Sequence, residues 1–338
     1  MSTTFKFATV LCLAVMFGMA VSLTYATPSQ GQASESDLPA CAPGLDEIDA
    51  NDLPSVVDLD DCPVDGREIV DGEVSAVVPD PGEGVYAEAL TTEGAHELVI
   101  EHDKDGTIEL SEVGVDLKDG SEDSGTLDQE ASTDRQAASI GNGCRTNGYD
   151  SLRFKMGKGE SYRFNKRTTP RELSRRQATG AIRRGTANIY KTKNPCRLGD
   201  RVPVAMSYKG KTSRRADVGF NNCEKSDDRN VASFGRLPRG TLAVTCTTFS
   251  GGIVVASDME INKRSVKWTT RPHKRSCKRQ FDLESVVTHE RGHTFGLGHV
   301  PESKGGTLTM SVFSEGPCQD SERSLGRGDV LGLGNQYR

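Results

Sequence analysis

Three of the six histidines in this 338-residue chain lie within eleven residues, His289–His299, in the sequence HERGHTFGLGH. His289 and His293 are four residues apart, so on a helix both side chains project from one face, one turn apart. Gly296 lets the backbone leave the helix because glycine tolerates left-handed dihedral angles, and His299 can then return as a third ligand. Three imidazoles that leave one coordination position open are typical of a catalytic zinc site.

Glu290 directly follows the first of these histidines. A carboxylate that lies near a metal without binding it can take a proton from a water molecule attacking a carbonyl group. We therefore predict one zinc ion held by His289, His293 and His299, with Glu290 as the general base. The other histidines have no ligand spacing and are expected to be structural; they are His96, His102 and His273.

The motif resembles the H-E-x-x-H-x-x-G-x-x-H signature of the metzincin metallopeptidases. Met310, in GGTLTMSVF, matches the methionine turn of that family. The segment GTLAVTCTTFSGGIVVASDMEINKRSVKW, with Trp268 near its end, is similar to a strand pair of the matrixins, the metzincin group that contains the matrix metalloproteinases. RSLGRGDVLGLGNQY is similar to their closing helix. This resemblance covers roughly residues 168–338.

The resemblance implies an α+β, metzincin-like zincin domain with a twisted, mostly parallel sheet, an active-site helix and a Met-turn. It also implies a zinc endopeptidase whose protein or peptide substrates lie extended along the edge of the sheet. The chain departs from the matrixin pattern in having Val300 after the third histidine, where serine is usual, and Val312 where some metzincins have a tyrosine ligand. It lacks the histidines of a second zinc site and the cysteine switch of matrixin propeptides, so we predict a single zinc ion.

Charge is divided unevenly along the chain. Residues 27–139 contain 30 acidic and 4 basic side chains, whereas residues 140–338 contain 18 acidic and 37 basic ones. Opposite charges of this size indicate an acidic propeptide held against a basic enzyme domain, in an association that salt would weaken. An acidic solubilising tail is the alternative.

The N-terminal residues indicate export. Phe7 to Leu23 are mostly apolar, and a small-residue pattern ends at Ala26, which is typical of a cleaved secretory signal peptide. A retained signal anchor is the alternative. We predict a signal peptide over 1–26, an acidic propeptide over 27–138 and a metallopeptidase domain over 139–338. The segment DQEASTDRQAASIGNGC between the last two is a candidate cleavage region, with Arg135 as a possible cut point.

Cysteine usage agrees with a secreted, extracellular protein. One of the nine cysteines lies in the signal peptide, and the other eight form an even set, as expected for disulfides in an exported chain. Eight cysteines allow 105 pairings, so the connectivity stays open. Pairing nearest neighbours would join Cys41–Cys62, Cys144–Cys196, Cys223–Cys246 and Cys277–Cys318. Cys41 or Cys62 could instead bind the zinc as a thiolate.

Periodicity predicts the elements that must position the metal site. An apolar face predicts a helix over Arg171–Tyr190, and FDLESVVTHERGHTF predicts a second helix with Asp282 as its N-cap. Alternation predicts strands in VPVAMSYKG, TLAVTCTTF and GIVVASDMEIN, and SLGRGDVLGLGNQY predicts a final short helix.

One part of the acidic region also has a strand pattern. Apolar residues alternate on both sides of an Asp-Gly pair in HELVIEHDKDGTIELSEVGVDL, which predicts a β-hairpin. The same residues partly match a calcium loop, but their flanks favour strands where an EF-hand requires helices. The partial calcium match consists of Glu101, Asp103, Asp105, Gly106, Ile108 and Glu112.

A second function class fits some of these observations. The chain could be a secreted zinc-containing binding protein without turnover, whose basic surface meets an anionic polymer. The densest basic runs are RELSRRQATGAIRR and HKRSCKR. Glu290 favours the enzyme, since a non-catalytic metal site has no need of it. We expect a monomeric zymogen with no membrane partner, whose own acidic propeptide is one of its ligands.

Overall fold

The computed structural model describes residues 39–42, 44–111 and 143–338, which all lie in one compact unit spanning Ser34–Arg338. The predicted signal peptide and most of the predicted cleavage region, including Arg135, lie outside the described residues. Within the described part of the chain, no helix is long and apolar enough to cross a membrane.

Strands dominate the N-terminal region. They are β1 (Glu47–Asp49), β2 (Val56–Asp58), β3 (Glu68–Asp71), β4 (Val74–Val77), β5 (Glu83–Thr91), β6 (Ala95–His102) and β7 (Thr107–Ser111).

Strands and helices are mixed in the C-terminal region. They are β8 (Asp150–Ser151), β9 (Glu160–Phe164), α1 (Arg175–Tyr190), β10 (Met206–Lys211), β11 (Asn222–Cys223), β12 (Val231–Gly235), β13 (Thr241–Ser250), β14 (Ile253–Asn262), β15 (Trp268–Thr269), β16 (Phe281–Asp282), α2 (Leu283–Thr294), β17 (Leu297–Gly298), α3 (Glu302–Gly305) and α4 (Arg327–Gln336).

A nine-stranded sheet crosses both regions, in the order β10-β9-β12-β14-β13-β5-β6-β7-β2. Its first four strands are parallel, and β13 is antiparallel to β14, which confirms the mostly parallel sheet predicted for the C-terminal region. Strand β5 then pairs antiparallel with β13, and the sheet continues through three further antiparallel strands of the acidic region. The whole sheet is therefore mixed.

Capping residues set the points at which the two long helices begin. Ser174 and Gln177 form a capping box, so α1 begins at Arg175 and the predicted start at Arg171 is wrong. Asp282 caps α2 by accepting a hydrogen bond from the Ser285 amide, as predicted. The two helices pack closely where Gly185 faces Val287, because a Cβ at Gly185 would lie only 2.7 Å from a valine methyl carbon.

Apolar side chains form two buried clusters. The larger cluster contains residues of α1, α2 and the sheet, including Trp268, and extends to Tyr86 and Leu90 of β5. The second cluster joins apolar residues of the acidic region to Val244 and Leu237 of the C-terminal region. The two regions thus share their cores, and burial of this apolar area stabilises their contact.

Disulfides connect the pairs that nearest-neighbour pairing gives. All four are formed: Cys41–Cys62, Cys144–Cys196, Cys223–Cys246 and Cys277–Cys318. Because Cys41 and Cys62 are bonded to each other, neither offers a thiolate to a metal. The Cys223–Cys246 bond joins β13 to β11, which belongs to a four-stranded sheet with β1, β3 and β4 of the acidic region.

The predicted hairpin in the acidic region is present. Strands β6 and β7 pair antiparallel from His102 opposite Ile108 to Val99 opposite Ser111. Strands flank the Asp103–Gly106 turn on both sides, so the partial calcium match lacks the two helices of an EF-hand. The described residues of this turn therefore give no support for calcium binding.

Candidate metal centre

Helix α2 and the turn after it bring the three predicted histidines together. His289 and His293 lie one turn apart on α2, and His299 follows the short strand β17. Gly296 has a φ angle of 89°, the left-handed conformation expected for the residue that turns the chain out of the helix. A side chain at Gly296 would also collide with the carbonyl oxygen of Phe154, so both space and backbone conformation favour glycine.

Three ring nitrogens face one point. The Nε2 atom of His289 lies 2.9 Å from that of His299 and 3.2 Å from that of His293. A tetrahedral zinc site with Zn–N bonds of about 2.0–2.1 Å places its nitrogens about 3.3 Å apart, close to these separations. All three rings are almost completely buried.

The other ring nitrogens have partners that set the tautomer. His289 Nδ1 lies 2.7 Å from the Thr309 carbonyl oxygen, and His293 Nδ1 lies 2.9 Å from that of Leu297. Since a carbonyl oxygen only accepts, each Nδ1 carries the proton and each Nε2 presents a lone pair. The His299 Nδ1 lies 2.9 Å from a Glu97 carboxylate oxygen, an outer-shell arrangement common around zinc.

Glu88 is a fourth potential ligand, which the sequence analysis missed. It lies on β5, is completely buried, and joins the three histidines in a group whose ligand atoms are all within 4.8 Å of one another. Its Oε1 atom lies 3.9 Å from His299 Nε2. No spacing rule connects Glu88 with so distant a motif, and the sequence analysis predicted no strand over β5.

The donor set fits a divalent cation. Both carboxylate oxygens of Glu88 are buried without a hydrogen-bond partner, and Oε1 lies 3.9 Å from His299 Nε2. Burial and the neighbouring Glu290 carboxylate raise the pKa of Glu88, while burial lowers the pKa of His289 to about 3. Imidazole lone pairs and carboxyl oxygens that no proton donor satisfies are the chemistry of a metal site, and nitrogen and oxygen ligands suit zinc.

Glu290 lies beside this group. It is completely buried on α2, and its Oε2 atom accepts a hydrogen bond from the Thr245 hydroxyl of β13. The Oε1 atom has no hydrogen-bond partner. Burial raises the pKa of Glu290, and the neighbouring Glu88 side chain and the Thr245 hydrogen bond oppose this shift. A carboxylate with one tethered and one free oxygen, next to a metal site, is suited to proton transfer.

Met310 lies against the glycine of helix α2. A Cβ on Gly292 would overlap the Met310 sulfur, which explains why a helix-weakening glycine interrupts α2. Asp329 of α4, which the sequence analysis did not single out, supports the methionine turn by accepting hydrogen bonds from the amides of Thr309, Met310 and Gly326. This turn positions the Thr309 carbonyl oxygen at His289.

The remaining histidines lie elsewhere. His102 contacts the Pro79 carbonyl, and His273 pairs with Asp320. Among the described residues, neither these two nor His96 belongs to a group of potential metal ligands.

Comparison with known proteins agrees with this geometry. No curated protein matches the chain. The family model of the matrixins, which are metallopeptidases with a catalytic zinc ion, matches residues 161–338, more than half of the chain. The match includes the three histidines and Glu290 but not Glu88 or Glu97. The chain belongs to the matrixin family.

Proposed function

We propose that this matrixin is a secreted zinc endopeptidase made as a zymogen, with a signal peptide over 1–26, a propeptide over 27–138 and the peptidase domain over 139–338. The observation that carries the proposal is the convergence of three Nε2 atoms beside the buried Glu290 carboxylate. The four disulfides support export, because such bonds persist in oxidising compartments.

His289, His293 and His299 would hold the zinc ion. When bound, zinc lowers the pKa of a coordinated water to about 7 and polarises a carbonyl oxygen. The protein supports this by burying the rings and by holding the Nδ1 atoms of His289 and His293 with carbonyl acceptors, so that both present Nε2 lone pairs, while a Glu97 carboxylate oxygen lies 2.9 Å from His299 Nδ1.

Glu290 would act as the general base. Its free Oε1 atom accepts a proton from the water that attacks the peptide carbonyl, while Thr245 holds Oε2 in place. The same carboxyl group then donates that proton to the leaving amine. Met310 and Gly296 have supporting roles, in packing beneath α2 and in turning the chain towards His299.

The experiment is to replace Glu290 with Gln in the full chain and to measure casein cleavage after export and after limited trypsin treatment. We expect cleavage to be lost while one zinc per chain remains bound, and we expect 1,10-phenanthroline to abolish cleavage by the parent. Glu224→Gln is the matched control, since this exposed glutamate undergoes the same charge change. Full activity in Glu290→Gln would contradict the mechanism.

A second function is favoured by one observation. With Glu88 in place, the site has four potential protein ligands, and closed four-ligand sites are typical of structural zinc. A zinc-containing binding protein, with its basic surface turned to an anionic polymer, would retain this closed site permanently. Zinc-dependent cleavage of casein by any processed form of the chain would exclude this alternative.

A further inference from the structure

We propose that the acidic region keeps the enzyme latent through strand β5, which supplies Glu88 as the fourth metal ligand and covers the sheet edge where a substrate would bind. This inference rests on the proposed function for the identity of the metal and for the use of that edge. It assigns a metal ligand outside the part of the chain that matches the family.

Strand β13 would be the edge of the sheet without the acidic region. This strand pairs with β14 on one side, and β5 occupies its other side from Thr241 opposite Thr91 to Phe249 opposite Gly84. Without β5, β13 would be an edge strand with unpaired backbone groups, and adding a strand to such an edge is a common way of binding an extended peptide. Strand β5 therefore takes the place of a peptide substrate.

Glu88 lies in the middle of the β5–β13 ladder. Glu88 pairs with Thr245, whose hydroxyl donates to Glu290, and the Glu88 carboxylate lies close to both the histidines and the proposed general base. A catalytic zinc site needs its fourth position free for water. The Glu88 carboxylate in that position would exclude the water. A carboxylate is also not a peptide bond, so the group bound to the metal could not itself be hydrolysed.

The same region also supplies outer-shell contacts. Tyr86, two residues before Glu88 on β5, donates a hydrogen bond to Glu97, and its hydroxyl lies 2.9 Å from His293 Nδ1. Glu97, on β6, lies beside His299. Outer-shell partners orient ligand rings and strengthen metal binding. The acidic region thus completes the site as well as closing it.

The acidic region and the C-terminal region contact each other mainly through the β5–β13 strand pairing and through shared buried apolar clusters. In the part of the chain that the structure describes, the surface ion pairs between them join Lys225 to Asp80 and Arg153 to both Glu101 and Glu109. Exposed pairs of this kind contribute little. A cut between the two regions would therefore leave β5 in place until the β5–β13 ladder separates.

The test compares Glu88→Gln and Glu88→Ala with Glu93→Gln, which changes the same charge at the exposed tip of the β5–β6 hairpin. All are made in the uncut full chain with Glu290→Ala, so that no self-cleavage intervenes. Cobalt(II) affinity is measured by competition with a chelator, and the visible spectrum of the cobalt(II) form is recorded. We expect both Glu88 variants to bind cobalt(II) at least about tenfold more weakly and with a changed spectrum, and Glu93→Gln to match the parent.

Thermal unfolding separates a ligand from a merely structural residue. Without metal, Glu88→Gln removes a buried unpaired carboxylate next to a cluster of lone pairs, so its midpoint should equal or exceed that of the parent. With cobalt(II), its midpoint should fall below that of the parent. If Glu88→Gln lowered the unfolding midpoint by the same amount with and without cobalt(II), the assignment of Glu88 as a ligand would be overturned.

The two proposals fail in different ways. If the parent binds cobalt(II) and the Glu88 variants bind it with the same affinity and spectrum, Glu88 is not a ligand, and the zinc site of three histidines still stands. If His289→Ala binds cobalt(II) as tightly as the parent, the histidines are not the ligands and the proposed function fails as well.

Discussion

Glu88 and Thr245 are paired across the ladder between β5 and β13, although they lie far apart in the sequence. As direct cross-strand partners, their side chains project from the same face of the sheet, where Thr245 donates to Glu290 and Glu88 reaches the three histidines. One strand pair therefore positions both carboxylates of the centre.

Gly292→Ala should destabilise the protein, because a Cβ at this position overlaps the Met310 sulfur. Overpacking of a core typically costs about 1–3 kcal/mol, which exceeds the gain of about 1 kcal/mol from replacing glycine in a helix. Urea unfolding of the full chain measures the difference. Gly180→Ala in α1 is the control, since its Cβ meets only the flexible Arg184 side chain at 3.1 Å, and it should be neutral or stabilising.

Gly84→Ala should loosen β5 from β13 without touching the metal site. The Phe249 ring lies over Gly84, and a Cβ there would overlap it, so we expect a loss of about 1–3 kcal/mol in unfolding free energy. Hydrogen exchange of the β13 amides should accelerate in the same variant. Gly199→Ala, where a Cβ meets no neighbour within 4 Å, should leave exchange unchanged. Unaltered β13 protection in Gly84→Ala would show that this end of the ladder is not tightly packed.

Glu97→Ala should weaken metal binding in the full chain by about ten- to a hundredfold, the usual effect of losing an outer-shell partner. Its carboxylate lies 2.9 Å from His299 Nδ1 and accepts the Tyr86 hydroxyl. Competition with a chromophoric chelator measures the affinity, with Glu93→Gln as the exposed control. An affinity equal to that of the parent would mean that Glu97 does not orient His299.

Asp329 should make stability depend on pH. Burial raises the pKa of Asp329 from 3.8 to about 6, although three backbone amides oppose the shift. The folded chain thus holds this proton more tightly than the unfolded chain, so the Asp329 contribution to unfolding free energy falls by up to about 3 kcal/mol as pH rises from about 4 to about 6.

The variant Asp329→Asn removes this titration. Both the parent and the variant carry Glu290→Ala, and the urea unfolding of each is measured between pH 4 and pH 7. The quantity compared at each pH is the unfolding free energy of the parent minus that of Asp329→Asn, which we expect to fall as pH rises. A difference that stays constant over this range would show that Asp329 titrates normally.

Local sequence was sufficient for the parts of the site that lie close together in the chain. The spacing of His289, His293 and His299 predicted a helix, a glycine turn and three converging rings, because helical geometry alone sets the first two side chains on one face. Asp282 as N-cap and the hairpin of the acidic region were likewise predicted correctly, since caps and turns depend on a few neighbouring residues.

Tertiary structure decided the rest. Glu88, Tyr86 and Glu97 have no motif, and they reach the centre only because β5 pairs with β13 and β6 pairs with β5. Pairing between distant strands is set by shared burial and register over the whole sheet, which no short stretch of sequence specifies. The charge division of the chain predicted that its two regions meet, and the fold determined that they meet through a backbone ladder that ends at the metal site.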